Sequence, residues 1–405
     1  VDLVKHHKTN YKKVVDLSEQ SWEEALQHSI TSINASVSGV NQYQCMNTNN
    51  VFSHFCTTSY LGLEFHPSII QGAIDGVNNV GVLRIPNSRN RLKLSYLYDY
   101  EERLSSHFRC EALATLSCSS ASSGILPLLA SGVMTNNQVP VLAFDKFSHY
   151  SMNHTKAACS AETDIVTIRH NNMEQLEDLC KREKFVAYVA DGAYSMGGVT
   201  KIDDLMYLQE RYGLFLYLDD SHSLSAFGSK GEGFVKSYLG EMNNKTIIVS
   251  SLGKAFGASG GLAMLPNNSM RNLVNRYGGP SNWSQSLNSA GIGAGMASLD
   301  IHESGELQEL QQKLQDVITY FDSIFNTKEK GNVIPIRLLR LYDDSLANRV
   351  CSSLLSDGFF TSSVFFPVVP RGQASIRVTL RADMTHSDID SFYTSYQKSL
   401  DFEAR

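Results

Sequence analysis

Between residues 110 and 265, short apolar, β-branched runs alternate with stretches of helical periodicity, and this alternation constrains the fold more than any other feature. The strand candidates are Leu113–Ser117, Val139–Asp145, Asp164–His170, Phe185–Asp191, Leu214–Asp220, Thr246–Ser250 and Gly261–Leu265. Helices such as Met173–Lys184 and Asp203–Tyr212 fall between them. The pattern predicts an α/β domain built on a mostly parallel seven-stranded sheet with helices on both faces. In such sheets a ligand sits beyond the carboxyl ends of the strands. Polar residues collect at those ends: Asp145 to His149, Asp191 to Ser195, Asp219 to His222, and Ser250 to Lys254.

The remainder of the chain reads differently. Residues 1–50 are polar and Asn/Ser-rich with one helical stretch near Trp22–Ile33, which predicts an N-terminal arm. Residues 51–283 form the large α/β domain, and 284–405 a smaller α+β domain. In the latter, a helical region over 284–327, broken near Ser304-Gly305, precedes strands at Val333–Leu339, Phe359–Val369 and Ser375–Leu380 and a last helix at Ser387–Leu400. An apolar content of 42% against 19% charged residues is enough for a sizeable core. A net charge of −6 with no basic stripe argues against a nucleic-acid partner. No apolar run approaches the about 20 residues of a membrane span. The seven scattered cysteines contain no CxxC pair, so neither a metal site nor a disulfide framework is expected; reduced thiols and a cytoplasmic setting are.

Lys254 follows the apolar run Ile247–Val249 and precedes glycines and small residues, which puts its amine at the mouth of a strand. Upstream, Leu-Phe-Leu-Tyr-Leu-Asp-Asp-Ser-His (214–222) ends in carboxylates and an imidazole. A strand-end Asp219, His222 three residues on, and a strand-end lysine suit an aldehyde cofactor held as a Schiff base, its ring nitrogen protonated by the carboxylate. Asp220 is the poorer partner, because neighbouring strand residues face opposite ways. Ser250 and Ser251 can donate to a phosphate. Leu116-Ser-Cys-Ser-Ser-Ala-Ser-Ser-Gly124 follows a strand and opens a helix, which makes a phosphate cradle of its first N–H groups. Arg377, within a β-type run, is suited to a substrate carboxylate or to an internal acid.

These segments resemble the α-oxoamine synthases, pyridoxal-phosphate enzymes such as 2-amino-3-ketobutyrate CoA ligase and 8-amino-7-oxononanoate synthase. The resemblance rests on Ser-Tyr-Leu-Gly-Leu-Glu-Phe-His-Pro (59–67), Asp-Gly-Ala-Tyr-Ser-Met-Gly-Gly (191–198), Leu-Asp-Asp-Ser-His-Ser-Leu (218–224), Ser-Leu-Gly-Lys-Ala-Phe-Gly (251–257) and Phe-Phe-Pro-Val-Val-Pro-Arg-Gly-Gln-Ala-Ser-Ile-Arg (365–377). It implies a fold-type I architecture, pyridoxal 5′-phosphate as cofactor, and a homodimer with active sites at the subunit interface. It further implies Lys254 as the Schiff-base lysine and Asp219 as the pyridinium partner, with His222 at the phenolic oxygen and His149 stacked on the ring. Ser119, Ser120 and Ser251 correspond to phosphate ligands, Ser284 to one given by the other subunit, and Ser195 lies beside the cofactor. Arg377, with Thr58 or Ser59, corresponds to the substrate-carboxylate site. Where relatives carry an aromatic residue in the phosphate turn this chain has Ser120, and Leu92-Lys-Leu-Ser-Tyr-Leu97 replaces their Gly-[Ser/Thr]-x-x-x-His. The implied reaction is a decarboxylative Claisen-type condensation of an α-amino acid with an acyl thioester, on CoA or an acyl-carrier protein, giving an α-amino ketone. The alternatives are another reaction of the same fold (aminotransferase, racemase or aldol-type lyase) and a non-catalytic partner subunit.

Overall fold

The computed structural model describes residues 11–81 and 88–404. They divide into two compact units, one of residues 63–195 and 199–308, the other of residues 11–62, 196–198 and 309–404. In chain order the strands are β1 (Ala35–Gly39), β2 (Gln42–Cys45), β3 (Val51–His54), β4 (Glu111–Thr115), β5 (Val141–Asp145), β6 (Ile165–Ile168) and β7 (Val186–Asp191). They continue with β8 (Phe215–Asp219), β9 (Thr246–Ser251), β10 (Gly261–Leu265), β11 (Ile336–Arg340), β12 (Phe359–Phe360), β13 (Ser362–Val364) and β14 (Ser375–Thr379).

The first unit holds the seven-stranded sheet in the order β4-β10-β9-β8-β7-β5-β6. Strands β5 to β9 run parallel to one another, and β10 is antiparallel to both β4 and β9. Its central strands are buried on both faces, so they read as continuous apolar runs rather than alternating ones. Alternate residues feed two separate cores. Tyr188, Ala190, Leu216, Leu218 and Ile248 join one core, with Leu104 and Phe108 of helix Ser95–Phe108 and Leu205 and Leu208 of helix Ile202–Tyr212. Ala187, Val189, Phe215, Tyr217, Ile247 and Val249 join the other, with Ile125 and Leu129 of helix Cys118–Ala130 and Val274 of helix Asn268–Tyr277.

The large-domain boundary expected after residue 283 falls at residue 308, because helix Ser289–Glu303 stays with the first unit. It packs against helix Pro67–Val80 at backbone contact. A Cβ on Gly293 would lie 2.0 Å from the Gly72 carbonyl oxygen, and one on Gly72 2.5 Å from the Gly293 oxygen. Only glycine lets the two backbones approach this closely.

The second unit takes up the described part of the expected arm, whose first ten residues lie outside the described ones. Its helix is Tyr11–Gln27 rather than a stretch near 22–33, and it docks on helix Asp344–Ser356: Ser21 Oγ donates to Asp344 Oδ2 (2.8 Å) and Ser345 Oγ to Glu24 Oε2 (2.7 Å). Residues 35–54 form an antiparallel meander, β1-β2-β3, joined in parallel by β12. A second sheet has the order β11-β14-β13. The run expected as a strand over Phe359–Val369 is thus split between two sheets.

Within this unit the fully buried Arg381 pairs with Asp383 through Nε (2.8 Å) and Nη2 (2.8 Å), while its Nη1 donates to His54 Nε2 (2.8 Å). A guanidinium can only donate, so His54 Nε2 carries the lone pair and Nδ1–H donates to Thr57 Oγ1 (2.7 Å). Burial, then the Arg381 charge, lowers His54 from 6.5 to about 4.

Two outcomes are expected. Gly293→Ala should force the helices apart and cost about 2–4 kcal/mol, read as a lower urea midpoint; an unshifted midpoint would refute the contact. As pH falls, the unfolded chain protonates His54 first, so its contribution is complete above pH 6.5 and is lost as pH falls toward about 4. His54→Gln, which keeps an acceptor for Arg381, should remove about 3 kcal/mol of the stability difference between pH 7 and pH 4. Urea titrations at both pH values measure it, and equal slopes in the two proteins would count against a buried neutral His54.

Candidate active site

The site of the first unit is set by strand parity. Asp219 closes β8 on the face of Phe215 and Tyr217, toward helix Cys118–Ala130; Asp220 turns to the other face. Asp219 Oδ2 accepts from Ser151 Oγ (3.2 Å) and Cys118 Sγ (3.4 Å), and Oδ1 from the Ser221 N–H (3.0 Å). Asp220 instead accepts from the Val235 N–H (2.8 Å), and burial raises its carboxyl to about 7. Asp191 pairs in register with Asp219 across β7 and β8 and accepts from the His149 N–H (2.9 Å). Burial, then the charge of Asp219, pushes the Asp191 carboxyl well above its ordinary value, and Lys254 pulls it back.

Lys254 rides on the short connection from β9 to β10. Ala255 and Phe256 are fully buried, and the Leu252 N–H bonds to the Gly260 carbonyl (2.9 Å) and the Ala258 N–H to the Leu252 carbonyl (3.0 Å). Those anchors hold the half-buried lysine with Nζ 2.8 Å from His222 Nε2. His222 is itself buried, and Ser221 before it ties the two loops together: its Oγ accepts from the Ser251 N–H (2.8 Å) and donates to Cys118 Sγ (3.7 Å).

The Ser-rich turn starts helix Cys118–Ala130, with Ser117 as its cap. Ser117 Oγ accepts from the Ser120 N–H (3.1 Å) and lies 3.0 Å from Ser120 Oγ. In the first turn of a helix the N–H groups, here those of Cys118 and Ser119, have no intrahelical acceptor. A Cβ on Gly261 would sit 2.4 Å from the Cys118 nitrogen, so a glycine opening β10 is what lets the strand seat against this turn. Ser251 Oγ accepts from the Gly253 N–H (3.3 Å) at the end of β9.

Of the residues singled out in the sequence, Lys254, His222, Asp219, His149, Ser119, Ser120, Ser195, Ser251 and Ser284 lie in the first unit. His149 is exposed, and its Nδ1 is 2.9 Å from Ser151 Oγ. Ser195 is half-buried beyond β7, and Ser284 is exposed at the end of helix Pro280–Trp283. Arg377, Thr58 and Ser59 lie in the second unit. Arg377 is buried on β14, with its charge bearing on Tyr60 and Cys56. Ser59 Oγ accepts from Arg381 Nη1 (2.9 Å), and Thr58 is half-buried beside it.

Ser151 was not visible as a site residue in the sequence. Its one signal is its place two residues after His149, where a hydroxyl can reach both the imidazole and the strand end. The divergent stretch at 92–97 is anchored rather than loose: Lys93 Nζ donates to Glu101 Oε2 (2.9 Å), and Arg89 pairs with Glu101 Oε1 and donates to the Ala114 carbonyl (3.1 Å). Glu101 is fully buried; burial drives its carboxyl up, but Arg89 and Lys93 together hold it below its ordinary value.

The family model of aminotransferase class I and II matches residues 54–395. The human mitochondrial 2-amino-3-ketobutyrate coenzyme A ligase is 30% identical over 346 residues, covering 83% of this chain and 80% of that protein. The 8-amino-7-oxononanoate synthase of Petrotoga mobilis is 26% identical over 361 residues, covering 85% and 87%. Among solved structures, a serine palmitoyltransferase from S. paucimobilis with bound PLP and myriocin superimposes with a TM-score of 0.82 at 18% identity, over 95% of this chain and 98% of that one. The chain belongs to the aminotransferase class I and II family and, within it, to the α-oxoamine synthases, fold-type I enzymes that use pyridoxal phosphate.

Proposed function

We propose that this chain condenses an α-amino acid with an acyl thioester, releasing carbon dioxide and free thiol and leaving an α-amino ketone. The carrying observation is the pairing of Lys254 Nζ with His222 Nε2 at 2.8 Å beside a buried Asp219 that already accepts three hydrogen bonds. That donor set fits pyridoxal phosphate: an amine for the aldehyde, a carboxylate for the ring nitrogen, and an open helix start at Cys118 and Ser119 for the phosphate. When bound, the cofactor supplies an aldehyde that captures amines and a pyridinium ring that accepts an electron pair from Cα.

The chain's own residues have distinct tasks in this reading. Ser119, Ser120 and Ser251 hold the phosphate. Asp219 keeps a proton at the ring nitrogen, His149 covers the ring, and Ser195 lines its edge. His222 donates to the phenolic oxygen and then to the thioester carbonyl as negative charge develops there. Lys254 Nζ takes the proton from Cα and later returns one to the product carbon. Arg377, with Thr58 or Ser59 as the neighbouring hydroxyl, is the candidate for the amino-acid carboxylate, since a guanidinium can bind a carboxylate through two parallel hydrogen bonds. The thioester is carried by CoA or by an acyl-carrier protein, and the divergent residues Leu92–Leu97 bear on that choice.

The same reading carries a cytoplasmic homodimer in which Ser284 reaches the partner subunit's phosphate. Tyr277 and Trp283, 64% and 71% exposed on the same segment, support a covering surface there. The cysteines are all free, as thiols in a reducing compartment are.

Wild-type protein given amino acids and a thioester panel should release thiol and carbon dioxide in equal amounts. Lys254→Ala should lose both, together with the visible absorbance that develops when pyridoxal phosphate is added. Thiol release without carbon dioxide, or turnover that survives Lys254→Ala, would sink the proposal.

A further inference from the structure

Asp219 is held more elaborately than a single carboxylate partner requires. Both donors to Oδ2 come from helix starts: Cys118 is the first residue of helix Cys118–Ala130, and Ser151 the second of helix Tyr150–Asn153. The direction of each proton can be worked out. Ser221 Oγ accepts from the Ser251 N–H (2.8 Å), and its own proton points at Cys118 Sγ (3.7 Å), which leaves the thiol hydrogen for Asp219 at 3.4 Å. Burial, then the Asp219 charge, keeps Cys118 a thiol. Ser151 Oγ lies within reach of both His149 Nδ1 (2.9 Å) and Asp219 Oδ2 (3.2 Å). His149 Nδ1 already accepts from the Ser151 N–H (3.2 Å), and the anionic oxygen is the stronger acceptor, so the hydroxyl proton also goes to Asp219.

We propose that Cys118 and Ser151 are positioning residues whose hydrogen bonds hold the Asp219 carboxylate in place, so that a proton shared with the ring nitrogen of the cofactor would rest on the nitrogen. This rests on the cofactor reading given above. A carboxylate that accepts several hydrogen bonds is a weaker base than one that accepts none. Without these two donors the shared proton shifts toward the carboxylate, and the ring loses capacity to take up charge. Ser221 connects the arrangement to the strand that precedes Lys254, since its one hydroxyl group bonds both Cys118 and the Ser251 backbone.

The test uses holoenzyme reconstituted with pyridoxal phosphate labelled with ¹⁵N in the ring. In wild-type protein the ring nitrogen should resonate as a pyridinium. Cys118→Ala and Ser151→Ala should each move the resonance toward neutral pyridine and lower kcat about tenfold, with KM for the amino acid little changed. The double variant should show a larger shift, while Cys118→Ser, which keeps a donor, should return both measurements close to wild type. A wild-type resonance in both alanine variants overturns the inference, as does a rate loss that Cys118→Ser does not restore. Wild-type protein that binds the cofactor with an unprotonated ring nitrogen, or does not bind it, overturns the cofactor reading itself, and the inference with it. The single Cys118→Ala and Cys118→Ser pair decides the matter even where the double variant does not fold.

Discussion

The alternation of side chains along β8 is the constraint on which the site depends. Phe215 and Tyr217 sink into the core beneath helix Cys118–Ala130, and the same parity delivers Asp219 to Cys118 and Ser151. A slip of one residue would exchange Asp219 for Asp220, whose surroundings are those of a structural acid: the Val235 N–H on one oxygen and a carboxyl raised to about 7 by burial. The register with β7 carries the constraint outward, because pairing Asp191 with Asp219 sets a second carboxyl against the backbone of His149. The apolar core therefore positions the polar site.

The strand ends concentrate buried carboxyls, and each is reconciled with burial differently. Asp145 receives Phe147 N–H, Asn171 N–H, Tyr188 Oη and His170 Nδ1, at 2.7 to 3.1 Å, and these hydrogen bonds bring its carboxyl below its ordinary value although burial opposes them. Asp191 has the His149 N–H and a neighbouring negative charge, and is pushed well up instead. Asp219 accepts from three donors, Cys118, Ser151 and the Ser221 N–H. Removing charge from water costs several kcal/mol unless hydrogen bonds or opposite charge replace it. Three such acids on adjacent strands are tolerated because each accepts hydrogen bonds where its strand ends.

All seven strands of the first unit were legible in the sequence, because a sheet buried on both faces leaves continuous apolar runs bounded by turns. The meander β1-β2-β3 was not. Ala-Ser-Val-Ser-Gly is largely exposed and no residue of Gln-Tyr-Gln-Cys is fully buried, so no core face stamps a period of two on them. Helix Ser289–Glu303 was read as helical, yet its allegiance to the first unit was hidden, since the signal is the absence of side chains at Gly72 and Gly293 rather than the presence of apolar ones. In the site, residues within one local motif, such as Lys254 or Asp219 with His222, were visible from spacing. Ser151 acts on a carboxylate 68 positions away, and Cys118 on the same group 101 positions away, so only the folded chain brings them together.

The segment at 92–97, which replaces the Gly-[Ser/Thr]-x-x-x-His expected from the family resemblance, is tied down by ion pairs. Arg89 and Lys93 converge on the fully buried Glu101, and Arg271 adds a third cation at 3.5 Å while it also bonds Glu102 (3.0 Å) and Glu111 (3.2 Å). Glu101 Oε1 additionally accepts the Ala114 N–H (3.0 Å), so the cluster is fastened to β4 itself. A buried acid with several cationic partners is costly to break, since removing any one leaves uncompensated charge inside the protein. Residues 88–93 therefore keep one backbone path while their outward side chains, including the exposed Leu92, are free to vary. Side chains mounted on this support can then change without disturbing Asp219 at the end of β8.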